Sequence, residues 1–350
     1  MKIKSILKFK PTPFEKTFGL TSDGEAIFSF ELINKNGMKL TVINFGATIS
    51  SLKIPLKNGK SIDVVLGFDT LEAYLKSFDL ESAPYFGATV GRYAGRIKEG
   101  TFILNEKTFH LNKNNNNHSL HGGNIGFSQR VWKVKNVNHN RNPSITFTHF
   151  SPNNEENYPG NLSAELTYTL SEENELILEY KATTTEDTVV NLTHHSYFNL
   201  NGHDSAVTEQ KLMVNASKSL ETTNENIPTG KFLNLKDQPF DFSQPKKCPS
   251  KIDNTFVLDN QDELAALLFS ETNKLKMAVY TNQPSVHIYV GGNCFNKIKG
   301  KENADYHSLS GICFETQNFP DAPNHEHFPS SVLRKGELYN HKTIYKFQSY

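Results

Sequence analysis

The sequence has no excess of either charge and no long apolar run. Its 350 residues carry 37 Lys and Arg against 37 Asp and Glu, so the formal net charge is zero. A balanced chain lacks the broad positive field that attracts nucleic acid or an anionic membrane surface, and we expect neither partner. No run of about 18 or more apolar residues is present, so no transmembrane helix is predicted.

Cysteine and export signals are also scarce. The three cysteines, Cys248, Cys294 and Cys313, cannot all pair with one another, which favours free thiols in a reducing compartment. The N-terminal segment Met1–Leu20 starts with basic residues, but lysines interrupt its apolar stretch too early for an export signal. Together these observations predict a cytoplasmic protein.

Helical patterns are rare, and strand patterns dominate. The best helical pattern is Thr70–Ser77, about two turns long, with Thr70 or Asp69 as its cap. Ala265–Ser270 and Lys274–Thr281 predict a β-hairpin that turns at residues 271–273. Other short runs rich in β-branched or aromatic residues, bounded by Gly, Asn or Pro, predict strands over Met38–Phe45, Ile62–Leu66, Thr101–Leu104, Ile145–Phe150, Leu162–Leu170, Leu176–Thr183 and Lys211–Val214.

The chain shows no sign of a division into domains. Its length alone would suggest two domains, but large β sandwiches and barrels often form a single domain that is longer than the usual domain length. No Pro-, Ser- or Gly-rich linker and no block of like charge separates two parts of the sequence. We therefore predict one domain over residues 1–350, an all-β antiparallel sandwich or barrel with few short helices.

The segment Gly311–Gln317 carries a candidate catalytic carboxylate. Side chains alternate along a strand, so Ile312 and Phe314 point to the core while Glu315 lies on the opposite face. That face borders either a cleft or open solvent, and a solvated strand carboxylate is the ordinary alternative.

The segment Asn191–Leu200 has the same alternation and carries a candidate imidazole. A strand here places His195 on a polar face with Tyr197 and places His194 on the other face. The two histidines are therefore poorly placed to hold one metal ion. A hydrogen-bonded structural histidine is the alternative for His195.

Four further side chains are candidates that remain weak when taken singly. For Arg96 taken alone, a surface ion pair is the ordinary explanation. His121 precedes a Gly-Gly turn, where the backbone can approach a ligand closely. Asp253 could be a turn carboxylate, and Gln283, which precedes a proline, could be a polar strand end.

Other signatures of chemistry are missing. Two histidines in the loop His325–His327 have no third ligand at a zinc-site spacing, so no metal is predicted. Neither a Gly-rich phosphate loop nor a G-x-S-x-G nucleophile elbow is present.

Taken together in their order, four segments closely resemble the aldose 1-epimerase (galactose mutarotase) family. The similarity extends from about Phe18 to about Phe347, nearly the whole chain. The segments that carry it are Phe86–Ile97 (FGATVGRYAGRI), Ser119–Gly123 (SLHGG), Asn191–Leu200 (NLTHHSYFNL) and Glu315–Ala322 (ETQNFPDA).

The resemblance implies a fold, an activity and a set of site residues. The fold is a large antiparallel β sandwich with a sugar site on its concave face, and the reaction interconverts the anomers of free aldohexoses such as D-galactose and D-glucose. Glu315 matches the family's general base and His195 its general acid. No cofactor or metal is implied, and we expect a monomer or homodimer. The positions expected to bind the sugar are Arg96, His121, Asp253 and Gln283.

Three positions depart from the family's pattern. Gly95 stands where an Asn usually precedes the binding Arg, His194 stands where an Asn precedes the catalytic His, and Asn254 replaces the His of a D-H pair. Because a hydrogen bond to a neutral hydroxyl contributes about 0.5–1.5 kcal/mol, we expect these changes to adjust sugar preference rather than abolish activity.

Three rival functions remain open at this point. A sugar-binding sandwich without turnover would not need both Glu315 and His195. A glycosidase would need two carboxylates, for which Asp253 and Glu315 could serve, and it would cleave a locked glycoside. An epimerase of phosphorylated hexoses would be expected to add basic residues for the phosphate.

Overall fold

A computed structural model describes residues 15–292 and 297–350. Within these ranges there are 28 strands and a single α-helix, α1 (Leu71–Ser77). Thr70 caps this helix, because its side chain accepts a hydrogen bond from the Ala73 N–H at 3.3 Å. The predicted helix and one of its two candidate caps are thus confirmed. Short 3₁₀ turns lie at Lys98–Gly100, Phe127–Gln129, Glu155–Asn157, Val207–Glu209, Lys301–Asn303 and Ala322–Asn324.

The strands follow one another closely along the chain. The first nine are β1 (Glu15–Leu20), β2 (Ala26–Ile33), β3 (Lys39–Ile43), β4 (Thr48–Pro55), β5 (Ser61–Asp63), β6 (Thr89–Val90), β7 (Arg96–Ile97), β8 (Thr101–Leu104) and β9 (Lys107–His110). The next nine are β10 (Ser119–Leu120), β11 (Lys133–Asn138), β12 (Ser144–Ser151), β13 (Leu162–Leu170), β14 (Glu175–Thr184), β15 (Thr188–Val189), β16 (Thr193–His194), β17 (Tyr197–Phe198) and β18 (Lys211–Val214). The last ten are β19 (Lys218–Thr222), β20 (Pro228–Asn234), β21 (Lys246–Lys247), β22 (Ile252–Val257), β23 (Leu264–Ser270), β24 (Leu275–Thr281), β25 (Ser285–Val290), β26 (Ile312–Gln317), β27 (Val332–Leu333) and β28 (Tyr339–Ser349).

Three larger sheets form the body of the fold. The nine-stranded sheet has the order β11-β12-β13-β14-β28-β24-β23-β18-β21, the six-stranded sheet has the order β17-β26-β25-β22-β19-β20, and β1 to β5 form a meander. Neighbouring strands within them pair antiparallel. The largest core cluster joins all three sheets, because it contains Phe30, Leu166, Phe256 and Phe347. The antiparallel β sandwich predicted from the sequence is confirmed.

Alternating burial explains why the long strands form where they do. In β13 every second residue, from Leu162 to Leu170, is buried, and the residues between them are partly or fully exposed. Three predicted strands, β8, β13 and β18, have the predicted bounds, and the other predicted strands differ at their ends. The hairpin of β23 and β24 is also confirmed.

The segment Asn191–Leu200 differs from the prediction of one strand. It forms two short strands, β16 and β17, which pair with different partners: β16 with β6, and β17 with β26. Between them His195 donates its N–H to the Ala88 carbonyl and accepts from the Gly87 N–H. The chain therefore leaves one sheet for another at His195, which sequence alternation alone does not reveal.

The structure bears on the cysteine and membrane predictions in part. Cys248 and Cys313 are unpaired and buried. Cys294 lies outside the described residues, as do the first 14 residues of the N-terminal segment. In the part of the chain that the structure describes, no helix combines the length and apolarity needed to cross a membrane.

Candidate active site

One cleft on the six-stranded sheet gathers most of the predicted site residues. Its space, including the open mouth, is about 830 Å³. Five of the six predicted residues line it: Arg96, His121, His195, Asp253 and Glu315. These residues are separated by up to 219 positions in the chain (315 − 96), so the fold and not the local sequence brings them together.

Glu315 lies in β26 and is 3% exposed. Ile312 and Phe314 belong to the main core, whereas Glu315 faces the cleft, as the alternation predicts. Strand β25 flanks β26 and places His287 directly opposite Glu315. The carboxylate is therefore a buried cleft group and not a solvated strand residue.

His195 faces this carboxylate. Its Nε2 lies 3.5 Å from Oε1 of Glu315, and its Nδ1 lies 3.6 Å from Sγ of Cys313. The rings of Tyr85 and Tyr197 lie 5.7 and 5.2 Å from the imidazole ring. The imidazole is thus packed among a carboxylate, a thiol and two aromatic rings.

Cys313 does not compete as a charged group. Burial, followed by the negative charge of Glu315, raises the pKa of the Cys313 thiol well above its ordinary value. The thiol is therefore neutral at neutral pH.

Arg96 and His121 are brought together by the pairing of β7 with β10, in which Leu120 faces Arg96. Arg96 Nε donates to Oδ1 of Asn115 at 3.0 Å, which holds the guanidinium at the cleft. Gly122, the next residue, has no room for a side chain unless the backbone moves, because a Cβ there would lie 2.0 Å from the Gly91 carbonyl oxygen. The glycine turn thus lets two backbone segments approach each other closely beside His121.

His121 is a neutral donor in this site. Burial, followed by the charge of His195, lowers the pKa of His121 well below its ordinary value. The Gly95 N–H donates to His121 Nδ1 at 3.3 Å, which makes this nitrogen an acceptor and assigns the proton to Nε2. His121 can therefore offer one N–H to a sugar oxygen.

Asp253 is held by two donors. Its Oδ1 lies 2.9 Å from Nε2 of His287, and its Oδ2 accepts from Nδ2 of Asn226 at 2.8 Å. Burial disfavours the charged carboxylate, but the hydrogen bond and charge of His287, with the charge of Arg96, lower the pKa of Asp253. Burial likewise opposes protonation of His287, but Asp253 and Glu315 raise its pKa.

Comparison with known proteins agrees with this geometry. A family model described as aldose 1-epimerase matches residues 29–346. The chain belongs to the aldose 1-epimerase family. It is 38% identical to galactose mutarotase of Pongo abelii, over 94% of this chain and 96% of that protein. It is 31% identical to aldose 1-epimerase of Escherichia coli K12, over 95% of this chain and 98% of that protein.

A solved structure supports the same assignment. An aldose epimerase homologue from C. elegans matches with a TM-score of 0.84 and 32% identity, over 92% of this chain and 98% of that chain. As a member of the aldose 1-epimerase family, the chain is a carbohydrate isomerase that acts on aldoses.

The structure does not bring Gln283 to the cleft of this epimerase. Its Nε2 donates to Oδ1 of the adjacent Asn282, and the side chain lies in a different groove beside Pro284 and Leu338. Gln283 precedes β25, whereas the cleft begins further along that strand. The prediction that Gln283 binds the sugar is therefore corrected.

His287 is the cleft residue that the sequence reasoning missed. Val286, Ile288 and Val290 are buried in the core, so the same alternation that located Glu315 places His287 and Tyr289 on the cleft face. Applying this alternation to β25 could have found His287.

The three departures from the family's pattern have different surroundings in this epimerase. Gly95 has φ +78°, and a Cβ there would lie 2.9 Å from Cβ of Pro320, so a side chain would be strained. His194 points away from the cleft towards Tyr168, and burial, with the charge of His195, lowers its pKa to about 3. Asn254, between two cleft-side residues of β22, does not line the cleft.

Three cleft side chains have the spacing of a metal site. Among the described residues, His121, His195 and Glu315 each offer a ligand atom within 4.8 Å of the others. However, Nδ1 of His121 accepts the Gly95 N–H and its Nε2 carries the proton, so neither nitrogen has a free lone pair in this arrangement. The donor set thus does not fit a metal ion as it stands, and a metal-free reaction stays our prediction.

Proposed function

We propose that Glu315 and His195 are the acid–base pair with which this epimerase interconverts the α and β anomers of free aldohexoses such as D-galactose and D-glucose. The observation that carries the proposal is the 3.5 Å approach of His195 Nε2 to Glu315 Oε1 inside the cleft. Both side chains are almost fully buried, at 5% and 3% exposure. A binding site without turnover has no need of such a pair.

The reaction requires two proton transfers. Ionised Glu315 removes the proton of the C1 hydroxyl while protonated His195 delivers a proton to the ring oxygen. The bond between C1 and the ring oxygen breaks, and the open-chain aldehyde forms. Rotation about C1–C2 presents the other face of the aldehyde, and the two transfers then reverse to close the ring. Each positioned proton transfer typically contributes about 10²–10⁴-fold to the rate.

Three further side chains fit the binding of sugar oxygens and hydroxyls. Arg96 and His121 present N–H donors, since His121 is neutral with its proton on Nε2. Asp253 presents carboxylate lone pairs that remain after its bonds to His287 and Asn226. The cleft thus has donors and an acceptor for a polyhydroxylated ring around the reacting pair.

The test is polarimetry on freshly dissolved α-D-galactose and α-D-glucose. We expect wild-type protein to accelerate the approach to anomeric equilibrium and Glu315→Gln to lower kcat by at least about 10²-fold, because the substitution removes the base but little volume. His195→Asn should cause a comparable loss. Glu165→Gln, at a partly exposed position of strand β13 away from the cleft, is the matched control and should keep wild-type turnover.

Two results would count against the assignment. Near-normal turnover of folded Glu315→Gln would mean that another group is the base, and the same result for His195→Asn would mean that another acid protonates the ring oxygen. Methyl α-D-galactoside, whose anomeric centre is locked, should remain intact. Release of galactose from it would favour a glycosidase.

Our proposal extends to organisation and location. A single functional domain over residues 1–350 is supported by the family match over residues 29–346 and by a core that joins Phe30 to Phe347. The unpaired state of Cys248 and Cys313 is compatible with the predicted cytoplasmic location. A monomer or homodimer stays a prediction, which sedimentation analysis would test.

A further inference from the structure

The cleft contains a second carboxylate–imidazole pair beside the reacting one. Nε2 of His287 lies 2.9 Å from Oδ1 of Asp253, closer than His195 lies to Glu315. The side chain of His287 is 16% exposed. His287 pairs with Thr255 on one neighbouring strand and with Glu315 on the other. Since its ring also contacts Asp253, two residues before Thr255, it lies close to two carboxylate residues.

Both ring nitrogens of His287 are already engaged. Nε2 contacts Asp253, and Nδ1 lies 2.8 Å from Oγ1 of Thr255. An imidazolium satisfies both contacts by donating from each nitrogen, since the carboxylate and the hydroxyl oxygen both accept. With both nitrogens occupied by protein, His287 has no nitrogen left for the sugar and must act through its neighbours.

We propose that His287 is a positioning residue for the epimerase reaction, whose positive charge holds Asp253 in its sugar-accepting form and orientation and compensates the neighbouring charge of Glu315. The inference rests on the proposed function, because it assigns Asp253 to the sugar. It adds a residue that neither the sequence motifs nor the reacting pair identifies.

The charges around His287 support this role. Burial raises the pKa of Asp253, and the hydrogen bond from His287 is the largest of the influences that lower it. A charge-assisted hydrogen bond also fixes the carboxylate more strongly than a neutral one. The titratable or charged groups that face His287 from the surrounding elements are Asp253 on β22, Glu315 on β26, Tyr289 on β25 itself, Arg96 on β7, His121 after β10, and His195 between β16 and β17.

The direction of the pH effect follows from these contacts. Asp253 and Glu315 raise the pKa of His287, so the charge is present at lower pH and is lost as pH rises through that raised value. His287→Gln keeps a donor for Asp253 but has no charge at any pH. We therefore expect the KM of this variant to exceed that of wild type by about tenfold near pH 6 and to approach it near pH 9.

The experiment measures kcat and KM for α-D-galactose by polarimetry across this pH range. We expect kcat of His287→Gln to stay within about threefold of wild type, because the reacting pair is intact. His203→Gln replaces another buried histidine, which lies outside the cleft, and should leave the KM ratio near one at every pH. If His287→Gln does not fold, Thr255→Val tests the same point. Loss of the Nδ1 partner should make His287 lose its charge at lower pH, so KM should begin to rise with pH at a lower pH than in wild type.

The outcomes separate this inference from the proposed function. A KM ratio that does not change with pH, or a kcat loss of about 10²-fold at unchanged KM, would overturn the positioning role. If wild type binds galactose by calorimetry without accelerating mutarotation, the proposed function fails, and a pH-dependent Kd ratio between wild type and His287→Gln still supports the inference. Absence of galactose binding by wild type would overturn both.

Discussion

Replacement of His121 by Asn tests the tautomer that the structure assigns. His121 has φ 52°, a left-handed conformation that Asn tolerates better than most residues. The Asn Oδ1 can accept the Gly95 N–H in place of Nδ1, so this contact survives. What the variant loses is the Nε2 proton that we assign to a sugar oxygen.

The size of the effect follows from the kind of hydrogen bond that is lost. A bond between a neutral imidazole N–H and a neutral sugar oxygen contributes about 0.5–1.5 kcal/mol, which corresponds to a rise of about 2- to 12-fold in KM. Because burial, followed by the charge of His195, lowers the pKa of His121 well below its ordinary value, the ring is neutral throughout the ordinary titration range of histidine. The rise in KM should therefore be the same factor throughout this range, with kcat little changed.

Polarimetry on α-D-galactose at several pH values measures this factor, and His110→Asn on the exposed strand β9 is a control that should match wild type. A KM ratio that rises steeply on the acid side would refute the reasoning, because it would show that His121 binds the sugar as an imidazolium. A loss confined to kcat would also refute it, since His121 would then take part in proton transfer.

Two further predictions concern the stability of the scaffold. Gly95→Asn should lower the free energy of unfolding by about 1–3 kcal/mol without raising kcat/KM, because a Cβ there would lie 2.9 Å from Cβ of Pro320; unchanged urea unfolding would contradict this. Lys301→Met should cost about 3–5 kcal/mol, because Lys301 Nζ lies 2.8 Å from Oδ2 of buried Asp63. Burial opposes ionisation of Asp63, but Lys301 lowers its pKa, so this stabilisation is present above the ordinary Asp range and is lost as pH falls. Without Lys301, ionised Asp63 is buried and unpaired, so protonation at low pH relieves the variant, and the stability difference from wild type should narrow as pH falls. Equal urea midpoints at pH 7 would contradict the prediction.

Side-chain alternation predicts much of this fold and part of its site. It gives the bounds of strands such as Leu162–Leu170, and it places Glu315 opposite a buried apolar face. Each of these inferences needs only the two-residue period of one strand. The resemblance to a family then connects Glu315 with His195, Arg96, His121 and Asp253, which no single strand could do.

The remaining features depend on contacts between distant segments. Gln283 and His287 are four positions apart, and only the end of β24 and the start of β25 decide which of them faces the cleft. The tautomer of His121 depends on the Gly95 N–H, and the orientation of Arg96 depends on Asn115. Neither of these contacts follows from composition or periodicity, because each joins segments that tertiary packing brings together.

The burial of the reacting pair has a consequence for the chemistry itself. In the proposed reaction Glu315 begins as an anion and His195 as a cation, whereas in the open-chain state the carboxyl group and the imidazole are both neutral. Burial at 3% and 5% exposure disfavours the charged state, so it reduces the cost of transferring the two protons. The attraction between the two charges across 3.5 Å favours the charged state instead. A sugar bound between the two groups would separate them and so weaken this attraction. Catalysis should therefore depend on keeping water out of the cleft as well as on the reacting groups, and the rings of Tyr85 and Tyr197 beside His195 are placed to do this.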